Sequence, residues 1–318
     1  MAIVAGIDEA GYGPLMGPLV ISATAFQLPE EHTAADLWRL FSIGRPTAKR
    51  KPRAGVRVGD SKLLHRGPNG MRILEENLLP FLQLLEPAAG TFQSFVGAFC
   101  GPVSHEPYAW YRACDLKLPR KANVQRVADR AVQLQRALQD AGGGFLLARA
   151  FPMHAGEFNR AVLATGNKAE ALARSLRTLL TDLRGLFAGE DLFIRVDRQG
   201  GRAYYEGLLN NAFPDCEIRT EDESNEISSY GVTGDSGRMQ ITFAVRGDAT
   251  HLPTALASML SKYTRELYME LLNAYWSERV PGVKRTAGYF GDGRRFYEDI
   301  RHAIEADGLD PALILRSR

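Results

Sequence analysis

Cysteine is scarce in this chain. Only Cys100, Cys114 and Cys216 occur among 318 residues, an odd number spaced too widely for a zinc knuckle or a disulfide framework. No signal peptide and no unbroken apolar run of about 18–20 residues is present, so a reducing, cytoplasmic setting without membrane contact is the expectation. Charge of one sign is also lacking: 39 Lys+Arg stand against 37 Asp+Glu. Any nucleic-acid binding must therefore come from local clustering of cations and not from the total. There is no Walker A sequence, no H-E-x-x-H and no internal repeat. The six histidines sit mostly in irregular segments or beside proline, and none is assigned to metal.

What remains is ordinary for a folded soluble protein: 45% hydrophobic and 24% charged residues, in a chain long enough to bury a real core. Ala2 to Ile7 is an apolar run that stops at Asp8-Glu9, crosses a glycine-rich turn and resumes as Leu19 to Phe26, which predicts strand, turn, strand. Residues 29–58 break the pattern and read as a surface loop carrying Arg45, Lys49, Arg50, Lys51, Arg53 and Arg57. Such a run is either a solvated face or a phosphate contact. Helical periodicity follows in Met71–Leu85, and Thr91–Cys100 suits a strand. An irregular segment from Gly101 to Lys121 interleaves Tyr108, Trp110 and Tyr111 with Arg112, Lys117, Arg120 and Lys121. Stacking on bases and a loop pinned to the core by Trp110 are both open there.

Val124, Val127, Leu134 and Leu138 predict a helix, as do Leu172, Leu176, Leu179, Leu183 and Leu186. Asp191–Asp197 predicts a strand ending in a carboxylate. Ile241–Val245 predicts another, running into Arg246-Gly247-Asp248, and a long helix follows from about Pro253 to Trp276. The acidic run at Glu221, Asp222, Glu223 and Glu226 reads as a solvated loop. Strands and helices alternate throughout, which favours an α/β fold, a mixed sheet flanked by helices, over two separable domains.

Asp8-Glu9, Asp197 and Asp248 share one peculiarity: each lies at or just beyond the end of an apolar strand, where sites assemble in α/β sheets. Taken singly, each has a modest explanation as a turn cap, a loop closure or a near-cap residue. Together, four converging carboxylates would repel one another unless hard cations such as Mg²⁺ or Mn²⁺ bind between them. The glycines of Gly11-Tyr12-Gly13-Pro14-Leu15-Met16-Gly17 would let backbone come close to a ligand beside them. Ser258 and Lys262 share a helix face, where an ion pair from Lys262 to Glu266 is expected in preference to a nucleophilic dyad.

The block from Gly6 to Val20, GIDEAGYGPLMGPLV, resembles the opening motif of type 2 ribonucleases H, the ribonuclease HII group. Asp60-Ser61-Lys62-Leu63 is similar to that family's next block. Asp197 and Gly247-Asp248 resemble its third and fourth acidic positions, Gly247 to Met269 follows its helical block, and Gly288-Tyr289 resembles its late Gly-Tyr pair. The resemblance implies a ribonuclease H-like fold in one catalytic domain over residues 1–318, divergent, with insertions at 29–58 and 101–151. It implies two-metal hydrolysis, with Mg²⁺ or Mn²⁺, of the phosphodiester on the 5′ side of a ribonucleotide in an RNA–DNA hybrid or in duplex DNA. The products would be a 3′-hydroxyl and a 5′-phosphate, and no obligate protein partner is implied.

Carried across, Asp8, Glu9, Asp197 and Asp248 would be the metal ligands and catalytic residues. Gly11, Tyr12 and Gly13 would meet the 2′-hydroxyl through backbone groups, Ser61 and Lys62 would hold phosphate, and Tyr289 would pack on the sugar. The chain departs from the family at Tyr12, where arginine is usual, at Glu266 for aspartate, and at Gly291 and Arg294 for threonine and histidine. Tyr12, Gly291 and Arg294, together with the basic and aromatic insertions, motivate a rival reading, a hybrid- or DNA-binding protein on the same fold with weakened chemistry.

Overall fold

The computed structural model describes residues 1–46, 51–198, 202–235 and 237–317. Lys49 and Arg50 of the basic run lie outside them.

The apolar runs form strands, as their pattern predicts: β1 (Ala2–Ala10), β2 (Leu19–Leu28), β3 (Gly144–Met153), β4 (Asp191–Asp197), β5 (Glu217–Glu223), β6 (Ile227–Gly234) and β7 (Gly237–Ala244). They make a sheet of order β3-β2-β1-β4-β7-β6-β5. β1 runs antiparallel to β2 and parallel to β4, and β4 runs parallel to β7. β1 and β2 are buried on both faces, which is why they read as near-continuous hydrophobic segments and not as alternating ones.

The helices are α1 (Leu37–Leu40), α2 (Ser61–Leu64), α3 (Gly70–Leu85), α4 (Phe92–Phe99), α5 (Ala109–Arg112), α6 (Val124–Asp140), α7 (Ala155–Thr165), α8 (Lys168–Leu186), α9 (Glu206–Ala212), α10 (Gly247–Thr250), α11 (Leu252–Arg279) and α12 (Phe290–Ala306). The expected α/β arrangement is observed: α11, with α3, α4 and α6, covers one face of the sheet, and α8 with α7 and α9 covers the other. Gly6 fixes how α11 lands. A Cβ there would stand 2.0 Å from the Thr254 backbone nitrogen, so only glycine admits this crossing. Ser261 Oγ then donates to the Asp8 carbonyl at 3.0 Å and Thr24 Oγ1 to the Pro253 carbonyl at 2.8 Å, sewing the helix to β1 and β2.

Several sequence expectations are corrected. Thr91–Cys100 is not a strand: Phe92, Phe95 and Phe99 recur at helical spacing and bury one face of α4, whose start is closed by a Thr91/Ser94 capping box. Residues 29–58 are not simply a surface loop, since Leu37, Trp38, Phe41, Ile43, Ala54, Val56 and Val58 sink into the core. Tyr108, Trp110 and Tyr111 are buried as well, Trp110 packing 6.2 Å from Trp276. They anchor their segment and offer no face to a base. The stretch 101–151 contains most of β3, which completes one side of the sheet against β2. The acidic run from Glu221 falls mostly in β5, an exposed edge strand with no apolar alternation to announce it.

Candidate active site

Parallel pairing sets the carboxylates side by side. Ile7 lies opposite Val196, so β1 delivers Asp8 and Glu9 next to Asp197 at the end of β4. β7 ends opposite Asp197 at Ala244, and the chain then turns through Arg246 in the left-handed region (φ 55°) to place Asp248 in the single turn α10. Asp8, Glu9, Asp197 and Asp248 line one cleft of about 310 Å³ together with Gly11, Tyr12, Gly13, Ser61, Lys62 and Tyr289. Every site residue singled out in the sequence therefore reaches the same place, and no histidine among the described residues lines it.

The electrostatics are those of crowded acids in low dielectric. Burial, followed by the charges of Glu9 and Asp197, holds the Asp8 carboxyl well above the usual range. Burial and then the Asp197 charge push Glu9 to about 7, and burial and then Asp248 push Asp197 to about 6. Asp248 is raised by burial and by Asp60. Opposing this, the Gly247 N–H donates to Asp197 Oδ1 at 2.6 Å, and the Lys62 ammonium favours the charged forms of Glu9, Asp197 and Asp248.

The donor set fits a hard divalent cation. It consists of carboxylate oxygens, and one of them, Glu9 Oε2, is buried without a hydrogen-bond partner. Among the described residues, however, no three His, Cys, Asp or Glu side chains stand close enough together to hold one ion as they are placed.

The rest of the cleft is built from turns. Gly11 has φ +89°, and a Cβ there would meet the Pro18 carbonyl at 2.6 Å, whereas Gly13 faces open space. The backbone at Gly13 is thus free to meet a ligand. Tyr12 leans its ring on the core beneath α8. Tyr289, 55% exposed, begins α12 with its ring toward the cleft. The two segments are tied together, because Leu15 and Met16 donate their N–H groups to the Gly288 carbonyl at 2.8 and 3.1 Å. Asp60 caps α2 by accepting from the Lys62 N–H at 2.8 Å. Ser61 is turned inward, its Oγ 3.2 Å from Ser258 Oγ.

The expected Lys262–Glu266 ion pair is present at 2.6 Å, and Glu266 does not line the cleft. Four contributors were not assigned to the site from the sequence. Asp60 adds negative charge, the Ser258 hydroxyl favours the charged form of Asp8, and Arg265, only 2% exposed, donates to the carbonyls of Met16 and Ala287. Arg316 donates to the Pro14 carbonyl from the far end of the chain. Ser258, Lys262 and Arg265 recur at helical spacing on α11, a polar stripe on an otherwise buried helix and the signal that could have found two of these four.

No family model and no curated protein matches this sequence. Among solved structures the chain is similar to the RNase HII of Archaeoglobus fulgidus in its complex with PCNA, at 14% identity and a TM-score of 0.43 over 99% of this chain and 94% of that one. It is similar to ribonuclease H2 from Pyrococcus horikoshii OT3, at 15% identity and 0.43 over 98% and 92%. It is similar also to Bst-RNase HIII in complex with Mn²⁺, at 14% identity and 0.44 over 99% of this chain and 66% of that one.

Proposed function

We propose that this protein is a divalent-metal-dependent endoribonuclease that cuts on the 5′ side of ribonucleotides in RNA–DNA hybrids or in duplex DNA. The observation that carries the reading is the convergence of Asp8, Glu9, Asp197 and Asp248 with the Gly11–Gly13 turn, Lys62 and Tyr289 in one cleft. Asp8, Glu9, Asp197 and Asp248 would hold Mg²⁺ or Mn²⁺. Divalent ions bound there supply a Lewis acid for the phosphoryl oxygens and a water of lowered pKa.

The chain's own groups do the rest. Lys62, exposed at the rim, offsets phosphate charge. The backbone at Gly11 and Gly13 approaches the ribose, where a 2′-hydroxyl can both donate and accept a hydrogen bond. The exposed Tyr289 ring offers the sugar an apolar face, and Arg265 lies 5.9 Å from that ring. With Tyr12 leaning on the core, discrimination would rest on backbone groups rather than on a side-chain fork.

The test is cleavage of an end-labelled DNA duplex containing one ribonucleotide, with Mg²⁺, Mn²⁺ or EDTA, beside a continuous RNA–DNA hybrid and an Asp197→Asn control. Metal-dependent cutting 5′ to the ribonucleotide, lost in Asp197→Asn, is expected. Undiminished cleavage by that variant would overturn the site. Salt-sensitive binding without product would favour the weakened binding protein, a reading motivated by Tyr12 standing where arginine is usual.

A further inference from the structure

A second cleft, of about 570 Å³, opens on the other side of α10. Its polar lining includes Arg45, Arg195, Gln240, Thr242 and His251, with Asp36 as its one carboxylate among the described residues. Arg195 comes from β4. Strand alternation sends Leu192, Ile194 and Val196 into the core beneath α8 and leaves Arg195 on the same face as Asp197, about 6.6 Å away along the strand.

Arg195 is half-buried, and no ion pair among the described residues includes it. Burial alone acts on its guanidinium, and among the described residues no carboxylate pairs with it. His251 beside it adds no anion: burial and the Arg195 charge push its imidazole to about 3, and its Nδ1 lies 2.9 Å from Thr254 Oγ1. A charge taken from water without a partner is costly, and an anion in the cleft would offset that cost. Arg45 stands at the mouth. Its Nη1 donates to the Ala249 carbonyl at 3.0 Å, Asp36 lies 3.5 Å from Nη2, and the Trp38 ring lies 3.8 Å from the guanidinium carbon. These contacts hold Asp36, Trp38 and Arg45 against the turn that carries Asp248.

Both clefts border α10. An intermediate depression is lined by Lys62, Arg198 and Arg246 together with Asp60, Asp197, Asp248 and Ala249, and Ala249 also lines the Arg195 cleft. A strand leaving the carboxylates across α10 would meet these three cations set among three acids.

We propose that Arg195 and Arg45 form a phosphate subsite, binding a backbone phosphodiester of the nucleic acid away from the bond that is cut. This rests on the nucleic-acid reading above and adds to it a use for the segment 29–58. The planar fork of Arg195 suits two phosphate oxygens at once.

The test is binding, read without turnover: fluorescence anisotropy of a labelled ribonucleotide-containing duplex in EDTA across a salt series. Arg195→Gln should weaken binding about fivefold or more and lower the slope of log K against log salt by about one. Arg195→Lys should recover most of the slope. A methylphosphonate scan of the duplex should reveal a linkage whose neutralisation weakens the wild type and leaves Arg195→Gln unaffected. Should Arg195→Gln fail to fold, Arg45→Gln at the exposed mouth carries the same comparison.

Unchanged affinity and slope in these variants, with the wild type still cutting ribonucleotide duplexes, would overturn the subsite and leave the nuclease standing. A wild type that neither binds nor cuts any such duplex would overturn both. If inorganic phosphate raises the melting temperature of the wild type but not of Arg195→Gln, while duplex binding is equal in the two, the cleft takes free anions and the strand assignment falls.

Discussion

Ser61 Oγ and Ser258 Oγ lie 3.2 Å apart beneath the carboxylate cleft, joining the turn that carries Lys62 to the helix that backs Asp8. The Ser258 hydroxyl also favours the charged form of the Asp8 carboxyl. Ser258→Ala removes both links. Turnover is expected to fall about 10- to 100-fold, as for other groups that orient ligands, with kcat affected more than KM. An unchanged kcat and unchanged metal titration would show that Asp8 needs no such support.

Stability of the metal-free protein should depend on pH through the same acids. Folding raises Glu9 to about 7 and Asp197 to about 6, from unfolded values of about 4.3 and 3.9. The folded state therefore binds more protons, so their contribution is fully present below about pH 4 and is lost as pH rises through 6 to 7. In EDTA, thermal melts of the wild type should lose ground against Asp197→Asn over that window, and Mg²⁺ or Mn²⁺ should restore the melting temperature at neutral pH. A wild type that gains on Asp197→Asn as pH rises would contradict this.

Glu75 does structural work away from the cleft. Fully buried in α3, it accepts the backbone N–H groups of Arg120, Lys121 and Ala122 at 2.5, 2.7 and 2.9 Å and lies 3.1 Å from the Tyr263 hydroxyl. Glu75→Leu strands those donors and is expected to cost about 3–5 kcal/mol, read by urea denaturation. Glu75→Gln should cost less.

Arg316 braces the glycine loop through the Pro14 carbonyl, while its own N–H donates to the Leu15 carbonyl at 2.9 Å. Arg316→Ala should loosen the Gly11–Met16 turn and lower kcat/KM on a single-ribonucleotide duplex about tenfold or more, since small misplacements at a site are expensive. Equal cleavage by variant and wild type would show that the turn holds itself.

The sequence reveals what is periodic or punctuated. β1, β2 and β4, the helices α3, α6, α8 and α11, and the placing of acids at strand ends all follow from apolar pattern. α4 is hidden because a short apolar run satisfies helix and strand alike. β3 mixes alanines with Arg149 and Pro152, and β5 is solvated, so neither displays a clear two-residue period. Trp38 and Trp110 disappear into the core through long-range packing that no local window contains. Asp60 and Arg265 reach the cleft, and Arg316 the turn beside it, only through contacts far apart in sequence.

That last contact also makes the glycine loop answer to a distant part of the chain. Arg316 holds the Pro14 carbonyl across 302 positions, so fraying of the turn that carries Arg316 is felt beside Asp8 and Glu9 with no change in the strand that bears them. Local unfolding there is a perturbation of the cleft, and hydrogen exchange at Leu15 and Met16 would register it.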